Sequence, residues 1–197
     1  MRGSPDRAKT IQEIAFATDL GFDLPAGMEP FLDETAYYDA TNCTWPFGTH
    51  VAIVEIDKDT GVVDLVRYIA VDDVGKKINP MIVDGQIHGG IAQGVGQALW
   101  EAAVYSDDGQ LLSGSMLDYA IPRASWLPNF ELDETVTPSP VNSLGVKGVG
   151  EAGAIASTPA VVNAVIDALK PLGIRHIDMP LTAQTVWHAM QAAEVKP

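Results

Sequence analysis

The chain has 197 residues, of which 47% are hydrophobic and 19% charged, a balance that predicts a folded globular protein and excludes a disordered one. Its formal net charge of −14 argues against nucleic acid or an anionic membrane surface as the main partner. A single cysteine, Cys43, excludes an internal disulfide and a cysteine-cluster metal site made by this chain alone.

The same composition predicts a soluble protein of a reducing cytoplasm. No secretory signal and no apolar run of about 18 residues is apparent in the sequence. Cys43 is expected to be an inert buried thiol. The histidines have no partners at metal-ligand spacing, so no histidine metal site is predicted.

Residues 1–47 are predicted to form an N-terminal arm and linker. A polar start over residues 1–7 leads directly into an amphipathic turn or two of helix from Lys9 to Phe16. Because no element precedes this helix, we expect the chain to hold only part of a larger protein. The polar, proline-containing passage from Gly21 to Glu29 is typical of a linker or an extended arm.

Residues 48–197 are predicted to form an α+β core that starts with a hairpin. Two segments with period-two alternation, 49–56 and 62–71, are joined by a turn that ends in Gly61. From Asn79 to Leu99 the apolar residues follow helical spacing, although the stretch contains five glycines. Such a helix usually has a backbone or a ligand packed closely against it.

The second half of the core is predicted to contain two further strands and two helices. The strands are expected at 111–117 and 130–136. One helix is expected at 157–170, with Pro159 near its first turn, and a last one at 183–193 after a Thr182 cap. The pattern as a whole predicts a mixed α+β fold with antiparallel hairpins.

A glycine-dense loop from Val146 to Ala154 precedes the longer of these helices. Three glycines in six residues would let the backbone approach a ligand closely. Glu151 either caps the following helix or is the carboxylate of a site. Lys147 is either a site residue or an exposed loop cation. The likeness to a dinucleotide fingerprint is superficial, because no buried parallel strand leads into the loop.

Three glutamines recur among the glycines of the predicted helix at 79–99. Gln86, Gln93 and Gln97 could hydrogen-bond a heteroaromatic or oxo ligand. The alternatives are a polar helix face and amides that satisfy buried backbone groups. The residues alone leave these alternatives open.

Three segments in order, 72–80, 85–94 and 146–153, closely resemble motifs of the molybdenum hydroxylases. That family includes xanthine dehydrogenase, aldehyde oxidoreductases and aerobic carbon monoxide dehydrogenase. The match spans essentially the whole chain, and 136–140 with Asp118-Tyr119 resembles the large subunit of the carbon monoxide dehydrogenase branch.

The resemblance implies a molybdopterin-binding domain of mixed sheets with hairpins and flanking helices. It implies that Glu151 lies beside molybdenum and acts as a general base in a hydroxylation that uses oxygen derived from water. Gln93 would lie near the pterin and the metal ligands. The remaining implied residues fall into two groups: those that hold a molybdopterin cytosine dinucleotide are Asp73, Gly75, Asn79 and Gln86, and those that shape the loop at the metal are Lys147, Gly148, Val149 and Gly150.

The resemblance also implies partners, because large subunits of the family run several times this length. The chain is expected to be the C-terminal part of such a subunit, lacking the earlier cofactor-binding segments and the loop that carries a copper-binding cysteine. Expected partners are the rest of the large subunit, an iron–sulfur subunit, a flavin subunit with FAD and a small-molecule substrate. The full complex is expected to be a dimer of heterotrimers.

Two other interpretations stay open at this point. One is an aldehyde or N-heterocycle hydroxylase of the same family. The other is a noncatalytic binding or assembly module that uses the glycine loop to hold an anion or a partner. As part of a larger subunit, the isolated chain is expected to be catalytically silent, because it exposes surface meant for the missing part.

Overall fold

A computed structural model describes residues 8–21 and 24–194 of the chain. Contacts divide the chain into two compact units, Met1–Asp39 and Ala40–Pro197. The helices and strands of the described residues are α1 (Ile11–Leu20), β1 (Phe47–Ile56), β2 (Val63–Asp73), α2 (Pro80–Leu99), β3 (Phe130–Glu134), α3 (Ala152–Leu169) and α4 (Ala183–Glu194).

The first unit contains α1, and the predicted N-terminal helix is confirmed. Thr10 and Glu13 form a capping box, in which each side chain accepts a hydrogen bond from the other residue's backbone N–H. Gly21 ends the helix in the left-handed conformation. The predictions for residues 1–7, and for 22–23 of the linker, lie outside the described residues. From residue 24 to 46 the chain has no helix or strand, and Cys43 is exposed, so the prediction of a buried thiol is wrong.

The second unit begins with the predicted hairpin, which is confirmed. β1 pairs with β2 antiparallel from Phe47 opposite Asp73 to Ile56 opposite Val63. The turn closes through a hydrogen bond of 2.9 Å from the Asp57 N–H to a carbonyl oxygen across the hairpin. Alternate residues of both strands face the core, as period-two patterning requires.

β3 lies on the other side of β2 and pairs with it in parallel, which makes the sheet mixed. The predicted strand at 130–136 is therefore confirmed, although it ends at Glu134. The predicted strand at 111–117 is wrong. That segment makes one isolated bridge, Tyr105 to Leu111, and otherwise turns. Leu117 is 95% exposed, because the segment has no sheet face to cover and its serines and glycines favour turns.

α2 and α3 cross at small residues. A side chain added at Gly90 or Gly94 would meet α3, and one added at Gly153 would meet the α2 backbone. Thr158 Oγ1 also donates a 3.1 Å hydrogen bond to the Gly94 carbonyl. The glycine-rich helix thus has a backbone packed closely against it, one of the two explanations that the sequence suggested. Gly89, in contrast, has nothing within 4 Å.

α3 begins at Ala152, five residues before the predicted start, because Gly153 docks on α2 and the alanine-rich turn after it is helical. Pro159 consequently lies inside α3 and not in its first turn. The last predicted helix is confirmed as α4, where the Thr182 hydroxyl accepts the Thr185 N–H at 3.2 Å.

The core lies between the sheet and the helices. Its fully buried side chains come from β2, α2, α3, α4 and the approach to α4: Tyr68, Ile91, Val95, Leu99, Val161, Val165, Leu181 and Val186. The segment Ala152–Leu172 has the length and mean hydropathy, 1.4, of a membrane-crossing helix. Here one face of it packs on α2 and β1, as in the core helix of a globular domain.

The α2–α3 crossing gives a first testable prediction. Gly153→Ala is expected to destabilise the protein by about 1–3 kcal/mol, because the added methyl group overlaps the α2 backbone. Urea unfolding measures the change. Gly89→Ala is the matched control, since its methyl group enters open space on a helix, and it should be neutral or stabilising. Equal stability of the two variants would contradict this packing.

Candidate functional site

The glycine loop is fastened to the end of β2. The Lys147 N–H donates to the Val74 carbonyl at 2.9 Å, and the Lys76 N–H donates to the Gly145 carbonyl at 3.0 Å. Gly75 has φ of +66°, and a side chain there would collide with the Gly145 carbonyl. The structure thus places two of the predicted site residues, Gly75 and Lys147, at one junction.

A buried ion pair lies at the centre of this junction. Lys147 Nζ is 2.8 Å from Asp73 Oδ1, and the two side chains are 8% and 0% exposed. Asp73 also accepts hydrogen bonds from the Gly75 N–H and the Thr135 hydroxyl, at 3.0 and 3.1 Å. Its carboxylate therefore joins the end of β2, the segment after β3 and the glycine loop.

The surroundings of Asp73 change its pKa. Burial alone would raise it, but the hydrogen bonds from Lys147, the Gly75 N–H and the hydroxyls of Thr137 and Thr135 outweigh burial and hold the pKa below its ordinary value. The carboxylate is therefore stabilised in its charged form.

This pKa predicts how stability depends on pH. A pKa lower in the folded than in the unfolded state contributes stability that is present above about pH 4 and is lost as the pH falls toward the folded value. Between about pH 5 and 3 the free energy of unfolding should fall less steeply for Asp73→Asn than for the wild type. Urea unfolding across this range measures it. Equal slopes for the two proteins would contradict the prediction.

Glu151 lies at the first turn of α3. Its carbonyl accepts the Ile155 N–H at 3.0 Å, but its side chain makes no capping hydrogen bond. The carboxylate is exposed, and none of residues 8–21 or 24–194 pairs with it. The side chain therefore does not cap α3, which was one of the two roles predicted for it. The carboxylate is available to a group outside the described chain.

The residues predicted for the site on and next to α2 form two groups, one exposed and one with contacts inside the protein. Gln86 and Gln93 are exposed and seven residues apart, so they lie on one face of the helix. The Oε1 of Gln97, a turn further on, lies 3.4 Å from the Thr158 hydroxyl oxygen, so this side chain contacts α3. Asn79 caps α2 through a 3.2 Å hydrogen bond from the Ile82 N–H to its side-chain oxygen.

A recess of about 200 Å³ joins the start of α2 to the glycine loop. Asn79 and Lys147 both line it, whereas Gln93 and Glu151 do not. In the loop itself Gly148 and Gly150 have nothing within 4 Å and no positive φ, so neither packing within the described residues nor backbone conformation requires glycine there.

Two features were not predicted from the sequence. The first is a recess of about 450 Å³ between β2 and the side chains of Trp100 and Trp126, which is lined by none of the predicted site residues. The second is a buried polar cluster in which His50 Nδ1 lies 2.8 Å from the Tyr68 hydroxyl, and His50 Nε2 lies 3.1 Å from Asp72 Oδ2. Polar residues at inward positions of both strands were the available signal for this cluster.

The chain matches known proteins over nearly all its length. A model of the family described as molybdopterin cofactor-binding domain matches residues 2–128. The carbon monoxide dehydrogenase large chain of Hydrogenophaga pseudoflava is 40% identical over 191 residues, 97% of this chain and 24% of that protein. The nicotine 6-hydroxylase large subunit of Paenarthrobacter nicotinovorans is 43% identical over 188 residues, 95% of this chain and 23% of that protein.

A solved structure agrees with these matches. The crystal structure of Cu,Mo-CO dehydrogenase in its carbon monoxide reduced state superposes with a TM-score of 0.88 at 39% identity, covering 100% of this chain and 24% of that one. The chain therefore spans about a quarter of the length of the relatives it matches. The α+β fold and the family resemblance expected from the three sequence motifs are confirmed. The chain belongs to the molybdopterin cofactor-binding domain family, within the molybdenum hydroxylases.

Proposed function

We propose that the chain is the C-terminal quarter of the large subunit of a molybdenum-dependent oxidoreductase similar to carbon monoxide dehydrogenase. It would bind molybdopterin cytosine dinucleotide with molybdenum, and Glu151 would act as the general base in an oxidation that uses oxygen from water. The similarity of the whole chain to large subunits supports this proposal.

The residues present fit such a cofactor. A Cβ added at Gly89, Gly148 or Gly150 would project into open space. There it would hinder a large planar ligand from coming close to the backbone. The exposed amides of Gln86 and Gln93 offer both donors and acceptors to a polar heterocycle. We assign these glutamines, Asn79 and the backbone of residues 147–150 to the cofactor surface. Asp73 and Gly75 would support that surface from beneath, since both are buried.

The single observation that carries the proposal is the exposed carboxylate of Glu151, which has no partner among the described residues. Its backbone lies between a loop fastened to β2 and a helix docked on α2, yet its carboxylate is exposed with no partner among the described residues. A carboxylate in that state can accept a proton without first breaking a hydrogen bond or an ion pair. General-base catalysis needs a positioned group of this kind.

The bound cofactor would supply two-electron redox chemistry. The chain's own residues would orient the cofactor through amides and backbone N–H groups and would hold the proton acceptor at the start of α3. Electrons would leave through an iron–sulfur subunit and a flavin subunit with FAD. We infer assembly with these subunits and with the rest of the large subunit as a dimer of heterotrimers in the cytoplasm, and an isolated chain without turnover.

Co-production of the chain with the rest of the large subunit and both partner subunits tests the function. The purified complex is assayed for molybdenum, iron and flavin, and for oxidation of carbon monoxide, an aldehyde and an N-heterocycle. A molybdenum-containing complex that oxidises one of these substrates is the expected result. A complex without molybdenum would overturn the proposal and favour a noncatalytic assembly module.

A second candidate substrate class is an N-heterocycle. The nicotine 6-hydroxylase large subunit is 43% identical to the chain, compared with 40% for the carbon monoxide dehydrogenase large chain. Turnover of a heterocycle without turnover of carbon monoxide would decide for this candidate.

Gln93, one of the exposed glutamines of α2, gives a test of the cofactor surface. Gln93→Ala is expected to weaken retention of the cofactor by about tenfold, because the hydrogen bond that we propose between its amide and the ligand is lost. Molybdenum content after dialysis of the complex measures it. Gln184→Ala removes an exposed amide on α4 and should leave the content unchanged. Equal molybdenum contents in both variants would remove Gln93 from the cofactor surface.

A further inference from the structure

Lys147 and Asp73 were both expected to serve the cofactor, yet their side chains are bound to each other inside the protein. With exposures of 8% and 0%, both charged groups are buried and paired with each other. An ion pair removed from water holds its two groups in a narrow range of geometries, because loss of the partner leaves an uncompensated buried charge. The pair therefore fixes the position of the loop that carries Lys147.

The fastening point lies close to Glu151 along the chain. Three residues, 148–150, separate Lys147 from Glu151, and a 3.1 Å hydrogen bond from the Ala152 N–H to the Val149 carbonyl shortens that path. Asn142 steadies the loop from the other side, since its side chain accepts from the Val146 N–H and donates to the Val146 carbonyl, at 3.1 and 3.0 Å.

A second fastening point follows Glu151. Gly153 packs against the backbone of α2 near Ile87 and Ile91, which fixes the first turn of α3. The Glu151 carboxylate itself has no hydrogen bond or ion pair within the described residues. The location of Glu151 is consequently set by Lys147, four residues before it, and by Gly153, two residues after it.

We infer that the buried Asp73–Lys147 ion pair is a positioning device for Glu151, which places the proton acceptor at the reacting centre without touching it. This inference rests on the proposed function for Glu151's role, but the fastening of the loop can be tested independently. A displacement of about 1 Å at a reacting group can lower turnover by roughly 100-fold, so a loosened loop should affect chemistry more than binding.

Lys147→Met tests the inference, because it keeps the side-chain length and removes the charge. Hydrogen exchange of the 197-residue chain is expected to show about tenfold less protection in the peptide spanning 145–155, with the β1–β2 peptides unchanged. In the assembled complex kcat per bound molybdenum should fall by about 100-fold, while KM stays near wild type. Loss of protection spread evenly over the chain, or unchanged loop protection, would overturn the inference.

Arg67→Met is the matched control. It also removes a cation from an ion pair, the one with Glu131, but both partners are about half exposed on the surface. Loop protection and kcat should be unchanged in this variant. If Lys147→Met does not fold, the double variant Asp73→Asn/Lys147→Met replaces it, since no buried charge is then left unpaired, and the same loss of loop protection is expected.

The outcomes separate the inference from the function on which it rests. Full turnover in Glu151→Gln would refute the general-base role, while the exchange data would still show whether the pair fastens the loop. Lost turnover in Glu151→Gln, together with normal kcat and normal loop protection in Lys147→Met, would refute the positioning role alone.

Discussion

Glu151→Gln is expected to lower kcat of the assembled oxidoreductase by about 100-fold or more, because the amide keeps the size of the side chain but cannot accept the proton. Stability should change by less than about 0.5 kcal/mol, since the carboxylate is exposed and makes no capping hydrogen bond. Steady-state turnover of the preferred substrate measures the first effect and urea unfolding the second.

Molybdenum content should be the same in this variant and in the wild-type complex, so that lost turnover reports on proton transfer and not on cofactor loss. Glu55→Gln makes the same chemical change at an exposed position on β1 and should keep full activity. Wild-type turnover in Glu151→Gln would contradict the catalytic role. The role of Glu151 would then be limited to its backbone at the start of α3.

The second large effect is expected at His50. His50→Ala should destabilise the protein by about 3–5 kcal/mol, because it leaves the Asp72 carboxylate and the Tyr68 hydroxyl without their partner inside the protein and opens a cavity. The His50 and Asp72 side chains are 1% and 5% exposed, so the cluster is shielded from bulk water. Chemical denaturation of the chain measures the change in the free energy of unfolding.

A histidine–aspartate pair on the surface serves as the control for this buried one. His176 and Asp178 also pair, at 2.9 Å, but their side chains are 81% and 96% exposed. His176→Ala should therefore cost less than about 0.5 kcal/mol. A double variant, His50→Leu/Asp72→Leu, should recover much of the loss by removing the unpaired buried charge. Equal costs for the His50 and His176 variants would show that burial does not govern the pair.

Much of the fold could be predicted because its elements carry regular local patterns. The hairpin follows from period-two alternation, and α2 follows from helical spacing that outweighs its five glycines. The segment 111–117 misled the prediction, because isolated apolar residues resemble a strand whether or not a neighbouring strand is present to pair with them. The early start of α3 depends on Gly153 docking against α2, a tertiary contact that local sequence does not record.

The members of the site stay a prediction, whereas the structure shows where each predicted residue lies. Glu151, Gln86 and Gln93 are exposed, as a ligand-binding role requires. The pairing of Asp73 with Lys147 could not be predicted, since 74 residues separate them and nothing local marks either as the other's partner. The His50 cluster was missed for the same reason, because its three members come together only when the hairpin is formed in the observed register.

The long separation within the ion pair affects how the protein is made. At synthesis rates of about 5–20 residues per second, Lys147 leaves the ribosome roughly 4–15 s after Asp73. During that interval β1 and β2 can pair. The end of β2 then carries the Asp73 carboxylate, whose partner Lys147 has not yet been synthesised. The hairpin can therefore form early in synthesis, while the junction that fixes the glycine loop is completed only after most of the chain has emerged.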